Sequence, residues 1–286
     1  MGRFLVEASA SPVVLYGGEV ESSDPHVLAY ALASLYMVLG TTALVQLVRI
    51  QMRLPEYGWT TQKVFHLLNV ICLFARTALF CIFSDKWMVD YEAPPDMPMF
   101  YYFAFLFPGQ IYFTTYTLLI LFWAEIYHQA RSLPLNHLRP AFLGVNVLVY
   151  ALPLLICVAQ MVEAGGPDVQ NALKYAITGV MCATWLIAAL GFAFYGGKLF
   201  VMLRRFPLES KGRRKKLQEV GIVAGISTTC FVLRAGLTAA AAFVKCSIYV
   251  HFFYFVVVEV LPVAVILFVL RKLPPKRTSD GYHAIR

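Results

Sequence analysis

Apolar residues in this chain fall in long unbroken runs, not in the alternation of a strand or the narrow stripe of a surface helix. A bilayer span needs about 20 mostly apolar residues. Seven runs reach that length: His26–Val48, Val64–Phe83, Met99–Trp123, Ala141–Met161, Ala172–Leu203, Glu219–Phe243 and Tyr249–Leu270. Segments inside a bilayer must satisfy their own backbone hydrogen bonds, so the runs predict helices and no strands. The expected fold is all-α, a seven-transmembrane-helix bundle over 26–270. Residues 1–25 read as a flexible segment ahead of it and 271–286 as a short basic tail. The fifth run is long enough to project beyond the membrane.

Helices one, three, five and seven close on "MRLP", "RSLP", "RRFP" and "RKLP". Each stop has a cation and an apolar residue ahead of proline. Cations suit the negative end of a helix dipole, and proline prevents continuation. Four such stops on alternate helices imply four helix ends on one face.

Composition agrees with a membrane protein. Of the 286 residues 59% are apolar and 14% charged, with a mean hydropathy of +0.67; soluble domains carry about 25% charged residues. The net charge of +8 is therefore read first as membrane topology. The N-terminus and the second, fourth and sixth loops hold three Lys and Arg residues, and the other connections and the C-terminus hold seventeen. Positive-inside asymmetry puts the N-terminus in the lumen or outside and the C-terminus in the cytosol. No cleavable leader is legible, and the first helix is expected to serve as the targeting signal. The six cysteines have no CxxC spacing and read as small buried hydrophobes, with Cys246 in a short loop the reactive candidate.

Charges within spans are costly and single out Arg76, Arg234 and Glu259. Counted from the helix ends, all three lie roughly 10–15 Å below the lumenal boundary at 1.5 Å per residue. The shared depth admits two readings. One is an ionic lock that fixes helix packing; the other is a polar cavity for a ligand or a transported ion. A second group, His66, Asn69, Glu125, His128 and His137, lies toward the cytosolic side. Glu125 in "FWAEIYHQAR" sits where G-protein-coupled receptors carry an acidic-basic-aromatic lock, but no Arg follows it. It reads as an interfacial carboxylate, solvated or paired with a loop cation.

Catalytic chemistry finds no footing. There is no HExxH or HxxxH pair for a zinc hydrolase, no GxSxG and no phosphate-binding Gly-rich loop. The seventh span contains no lysine for a retinal Schiff base. The outer cysteine pair and NPxxY motif of rhodopsin-like receptors are missing, and signals for transport are limited to Pro153, Pro262 and the glycines Gly191, Gly196 and Gly197. No catalytic residue, cofactor site or metal site is assigned, and the chain is expected not to be an enzyme.

Seven of the 24 Lys and Arg residues sit in "RRFPLESKGRRKKLQEVG", Arg204–Gly221. Orientation by charge accounts for much of this run, and attraction to an anionic cytosolic leaflet adds to it. A protein-docking loop is the third reading; direct nucleic-acid binding is not expected.

Four stretches, "ALVQLVRIQMRLPEYGWTTQKVFH", "FTTYTLLILFWAEIYHQAR", "GFAFYGGKLFVMLRRFPLESKGRRKKLQEVG" and "LRKLPPKR", closely resemble the tobamovirus multiplication protein family of plants. Their order and spacing extend the resemblance over nearly the whole chain from about residue 27. The resemblance implies a seven-pass protein of the vacuolar membrane (tonoplast), with more remote receptor-like orphan relatives in animals. It implies a host factor that anchors viral RNA replication complexes, with the viral replication protein and an Arf-like small GTPase as partners. The recognised segments are nearly all cytosolic loops and their flanking helix ends. The candidate partner-binding residues are therefore Arg53, Glu56, Tyr57, Trp59 and Lys63 in the first loop. Those of the third cytosolic loop are Glu209, Lys211, Arg213, Arg214, Lys215 and Lys216. Tyr57 and Trp59 are read equally as interface anchors or as interfacial belt residues.

Overall fold

The computed structural model describes residues 24–53, 60–84, 98–162, 166–205, 211–241, 243–244 and 248–271. These form seven helical stretches, and no strand occurs among the described residues. They are α1 (Asp24–Arg53), α2 (Thr61–Ile82), α3 (Pro98–Ala130) and α4 (Leu138–Met161). α5 joins Pro167–Gly191 to Gly197–Arg205 through a π-helical turn, Phe192–Gly196. α6 is Lys211–Ala241; α7 joins Ile248–Phe255 to Leu261–Leu270 through a second π-turn, Val256–Val260. All but α3 are long and apolar enough, over their described residues, to cross a membrane. α3 has 33 residues and no charge from Pro98 to Ala124.

Several boundaries lie outside the expected runs: α1 and α3 continue to Arg53 and Ala130, past Val48 and Trp123, and α4 starts at Leu138, before Ala141. Three other starts have a local reason. α2 starts at Thr61 because Thr60, in an extended conformation, caps it: its hydroxyl accepts from the Lys63 amide at 3.3 Å. Lys63 is thereby a helical residue and not part of a loop. α5 starts at Pro167, not Ala172, with proline at the first helical position, where its missing N–H costs nothing. α6 starts at Lys211, not Glu219. The run expected as loop is its first two turns, since Arg, Lys, Leu, Gln and Glu are all good helix formers.

Large apolar side chains face outward along the helices: Leu155, Leu190 and Phe268 are each more than 60% exposed. A soluble protein rarely tolerates such a surface, whereas lipid accepts it. Inside, α2 is 50% buried over its most apolar window and α4 only 22%, so the bundle centres on α2 and its neighbour α3. α3 packs on α2, α4 and α5 and reaches α6 through Tyr112 and Tyr116, both against Phe231. Trp185 and Phe192 of α5 stack on the same Phe231 ring, each with centroids 5.9 Å away.

Beside Pro108 within α3 itself, Pro153 and Pro262 interrupt this bundle, and α3 supplies what these two remove. Pro153 has no N–H for the carbonyl one turn back, Val149. Gln110 of α3 donates to it at 3.3 Å. Pro262 likewise leaves the Val258 carbonyl without a helical donor. The Tyr112 hydroxyl donates to it at 3.3 Å and to the Glu259 carbonyl at 2.8 Å, while the Cys230 thiol reaches the Val257 carbonyl at 3.4 Å. The π-turn of α5 is held by close approach: a Cβ on Gly196 would lie 2.6 Å from the Ala224 Cβ and 3.0 Å from the Trp123 ring.

Candidate functional site: a buried ionic cluster and an open basic end

The second π-turn places Glu259 inside the bundle, 1% exposed. π-turns are rare and frequently mark functional positions. Both carboxylate oxygens are engaged. Arg76 of α2 forks onto them, Nη2 to Oε1 at 2.7 Å and Nε to Oε2 at 3.1 Å. Arg234 of α6 donates Nη2 to Oε1 at 2.6 Å, and the Tyr36 hydroxyl of α1 donates to Oε2 at 2.7 Å. The structure thus brings Arg76, Arg234 and Glu259 together, and four helices meet at one carboxylate. None of the four side chains belongs to a residue more than 4% exposed.

The surroundings receive the two cations. The Arg234 guanidinium lies 3.8 Å from the Trp185 ring centroid, and that of Arg76 lies 5.4 Å from the Phe255 centroid. Cation–π contact is worth about 2 kcal/mol or more when desolvated. Gly109 of α3 faces both: a Cβ there would sit 3.8 Å from Arg234 Nη2 and 3.9 Å from Arg76 Nη2. Two guanidinium groups share the one Glu259 carboxylate, and Arg234 Nε and Nη1 are buried without a hydrogen-bond partner. Chemically the cluster can fix helix rotation and register, and it has capacity for one more anionic or acceptor group.

The other expected residues lie elsewhere. Glu125, near the end of α3, pairs with Arg139 at 3.0 Å; its side chain is 19% exposed and that of Arg139 81%. The His128 ring nitrogen Nδ1 is 3.0 Å from the Pro134 carbonyl. His66 is fully buried with neither ring nitrogen hydrogen-bonded, and Asn69 donates to the Phe65 carbonyl one turn back. The grouping of His66, Asn69, Glu125, His128 and His137 is thus not a single site: its members make separate local contacts. Arg53 ends α1 and is exposed, but Lys63 is 3% exposed. The expectation that Lys63 belongs to an exposed loop surface is corrected: the Thr60 cap draws it into the helix. Glu56, Tyr57, Trp59, Glu209 and Cys246 lie outside the described residues, as do 1–23 and 272–286. Lys211, Arg213, Arg214, Lys215 and Lys216 fall on the first two turns of α6.

Tyr36, Tyr112, Trp185 and Gly109 were not legible as site residues. Tyr36 lies ten residues after His26, a depth matching the charges, and depth was the one signal available for it. Tyr112 was foreshadowed only by the need of Pro262 for a donor from another helix.

Comparison with known proteins adds the family. A sequence model of the THH1/TOM1/TOM3 domain matches residues 18–286. Tobamovirus multiplication protein 1 of Arabidopsis thaliana is 48% identical over 264 residues, covering 90% of this chain and 87% of that protein. Tobamovirus multiplication protein 3 of the same plant is 45% identical, covering 90% and 84%. Tobamovirus multiplication protein 1 of Nicotiana tabacum is 44% identical, covering 90% and 88%. No solved structure matches. With its helical architecture and this identity over nine-tenths of its length, the chain belongs to the THH1/TOM1/TOM3 family of tobamovirus multiplication proteins.

Proposed function

We propose that this protein is a non-enzymatic scaffold of the vacuolar or another endomembrane, with its N-terminus lumenal and its C-terminus cytosolic. Its basic end faces the cytosol, lies against an anionic leaflet and recruits partner proteins. The names of its relatives support a role in tobamovirus multiplication, with a viral replication protein as one partner. The family resemblance adds an Arf-like small GTPase as a second.

The observation that carries this reading is the form of the basic run. Its cations at 211–216 are not in a loose loop; their backbone is helical and continuous with the apolar stretch Leu217–Ala241. A helix that emerges from the membrane carries side chains at fixed spacing, which a partner reads more readily than a mobile loop. Six residues at about 1.5 Å each project roughly 9 Å. Neutralising Arg213, Arg214, Lys215 and Lys216 together is expected to lower capture of the viral replication protein more than tenfold, with membrane insertion and thermal stability unchanged. Full capture by the neutralised variant would contradict docking at this helix.

The second reading, a receptor-like or transport protein at the cluster of Arg76, Arg234 and Glu259, draws on one observation: two buried Arg234 nitrogens have no hydrogen-bond partner. Under that reading a lumenal solute reaches Glu259. Solvent-accessibility labelling of a cysteine placed at Gly109 tests it. Rapid labelling from the lumenal side supports the solute path, and protection supports a sealed lock.

A further inference from the structure

At the basic end, the last turns of α3 and the segment around and after the first π-turn of α5 line a groove of about 390 Å³. Three of its walls are cationic: Arg131 at the end of α3, and Lys198 and Arg205 in the last segment of α5. Lys198 lies one turn inside the membrane run and is half-buried. Its ammonium is 3.7 Å from the Phe194 ring centroid and 5.4 Å from that of Tyr127. Among the described residues no carboxylate is within ion-pair distance of Arg131, Lys198 or Arg205, and Glu125 on the same helix end is occupied by Arg139. Three cations therefore converge on one groove with no counter-charge from the described protein.

The groove's remaining wall says what kind of anion fits. Phe194 is 53% exposed and Val201 48%, and both line the groove on the face turned to lipid. Gly197 lies between them, and a Cβ there would meet nothing within 4 Å. The lining thus interleaves exposed apolar side chains with cations, Lys198 lying over the Phe194 ring and Val201 standing between Lys198 and Arg205. A free phosphate would use only the cationic half; a phospholipid uses both. Charge narrows the class further. A single phosphodiester brings about one negative charge, while a phosphomonoester adds about 1.5 to 2 more, close to what three cations balance.

We infer that this groove is a binding site for a phospholipid bearing a phosphomonoester on its head group. The head group lies among Arg131, Lys198 and Arg205, and the glycerol and upper acyl chains rest on Phe194 and Val201. The inference rests on the multi-pass membrane reading and on the basic end facing the anionic leaflet, but not on partner capture.

The test uses the full chain in detergent, titrated with a dioctanoyl phosphatidylinositol monophosphate. Dioctanoyl phosphatidylserine and the water-soluble inositol bisphosphate are the comparators. The monophosphate lipid is expected to bind roughly tenfold more tightly than either. Lys198→Gln is expected to weaken it by a similar factor; Arg139→Gln, which removes one cation from the same end outside the groove, changes it less than about twofold. Arg131→Gln, at an exposed position, serves as the second groove variant should Lys198→Gln lose its fold. Equal binding of phosphatidylserine, or equal weakening by Arg131→Gln and Arg139→Gln, would overturn the site in favour of diffuse charge. Equally tight binding of the soluble head group would overturn the lipid in favour of a free phosphate ligand. Because the titration requires neither insertion nor partner, its failure leaves the scaffold reading standing, and failed partner capture leaves this site standing.

Discussion

Glu259 and Glu125 each hold an arginine, one inside the bundle and one at its basic rim. The Glu259 oxygens face two guanidinium groups and a tyrosine hydroxyl, in a shell where the arginine side chains are 4% exposed. Glu125 faces one guanidinium whose side chain is 81% exposed. The distances are similar, 2.6–3.1 Å in the first case and 3.0 Å in the second. What differs is the alternative each group has when its partner is removed. Water replaces a lost partner at the rim, so exposed pairs contribute about 0–1 kcal/mol. Nothing replaces it in the interior, so breaking a buried pair costs about 3–5 kcal/mol. Separation alone does not report that difference; burial does. The same contrast sets the two ends of the molecule apart. The interior carboxylate is engaged on both oxygens by its own bundle, whereas Arg131, Lys198 and Arg205 are left for something outside the described protein.

The comparison breaks most visibly at Glu259. Glu259→Gln removes the carboxylate that two buried guanidinium groups share, and a loss of about 3–5 kcal/mol is expected, read as thermal unfolding in detergent. Adding Arg234→Gln restores part of that loss. Two further substitutions sharpen the picture, one beside the cluster and one at the first π-turn. Tyr112→Phe strips the donor from the Val258 and Glu259 carbonyls and is expected to cost about 1–3 kcal/mol. Gly196→Ala forces a methyl against Ala224 and Trp123, with an expected loss of about 1–3 kcal/mol. It also disturbs the groove, which the lipid titration reads separately. At the rim, Glu125→Gln is expected to change stability by less than about 1 kcal/mol, and that small effect shrinks further in high salt.

Much of this was legible before the structure. Unbroken apolar runs marked the helices, and counting residues from their ends put Arg76, Arg234 and Glu259 at one depth. Depth does not fix rotation about a helix axis, so the contact itself required the packed bundle. The π-turns were not legible, because a one-residue bulge leaves the apolar pattern of "FAFYG" and "VVVEV" unchanged. Pro262 was the partial clue, since a missing N–H demands a donor from another helix. Tyr36 is one of 16 tyrosines and has no local feature that separates it from a packing residue. Lys63 reads as a loop residue from the apolar run alone, and the Thr60 cap is what places it in the helix. The apolar pattern alone starts the sixth span at Glu219 and leaves 211–216 as loop, although Lys and Arg extend helices readily. In each miss the residue type was right and the competing local interaction decided the geometry.

The most direct test of the contrast is a pair of double-mutant cycles run on the full chain in one detergent. One cycle combines Glu259→Gln with Arg234→Gln, the other Glu125→Gln with Arg139→Gln. The account predicts a coupling of about 2 kcal/mol or more in the first and below about 0.5 kcal/mol in the second. Additive losses at Glu259 and Arg234, or equal coupling in the two cycles, would contradict it.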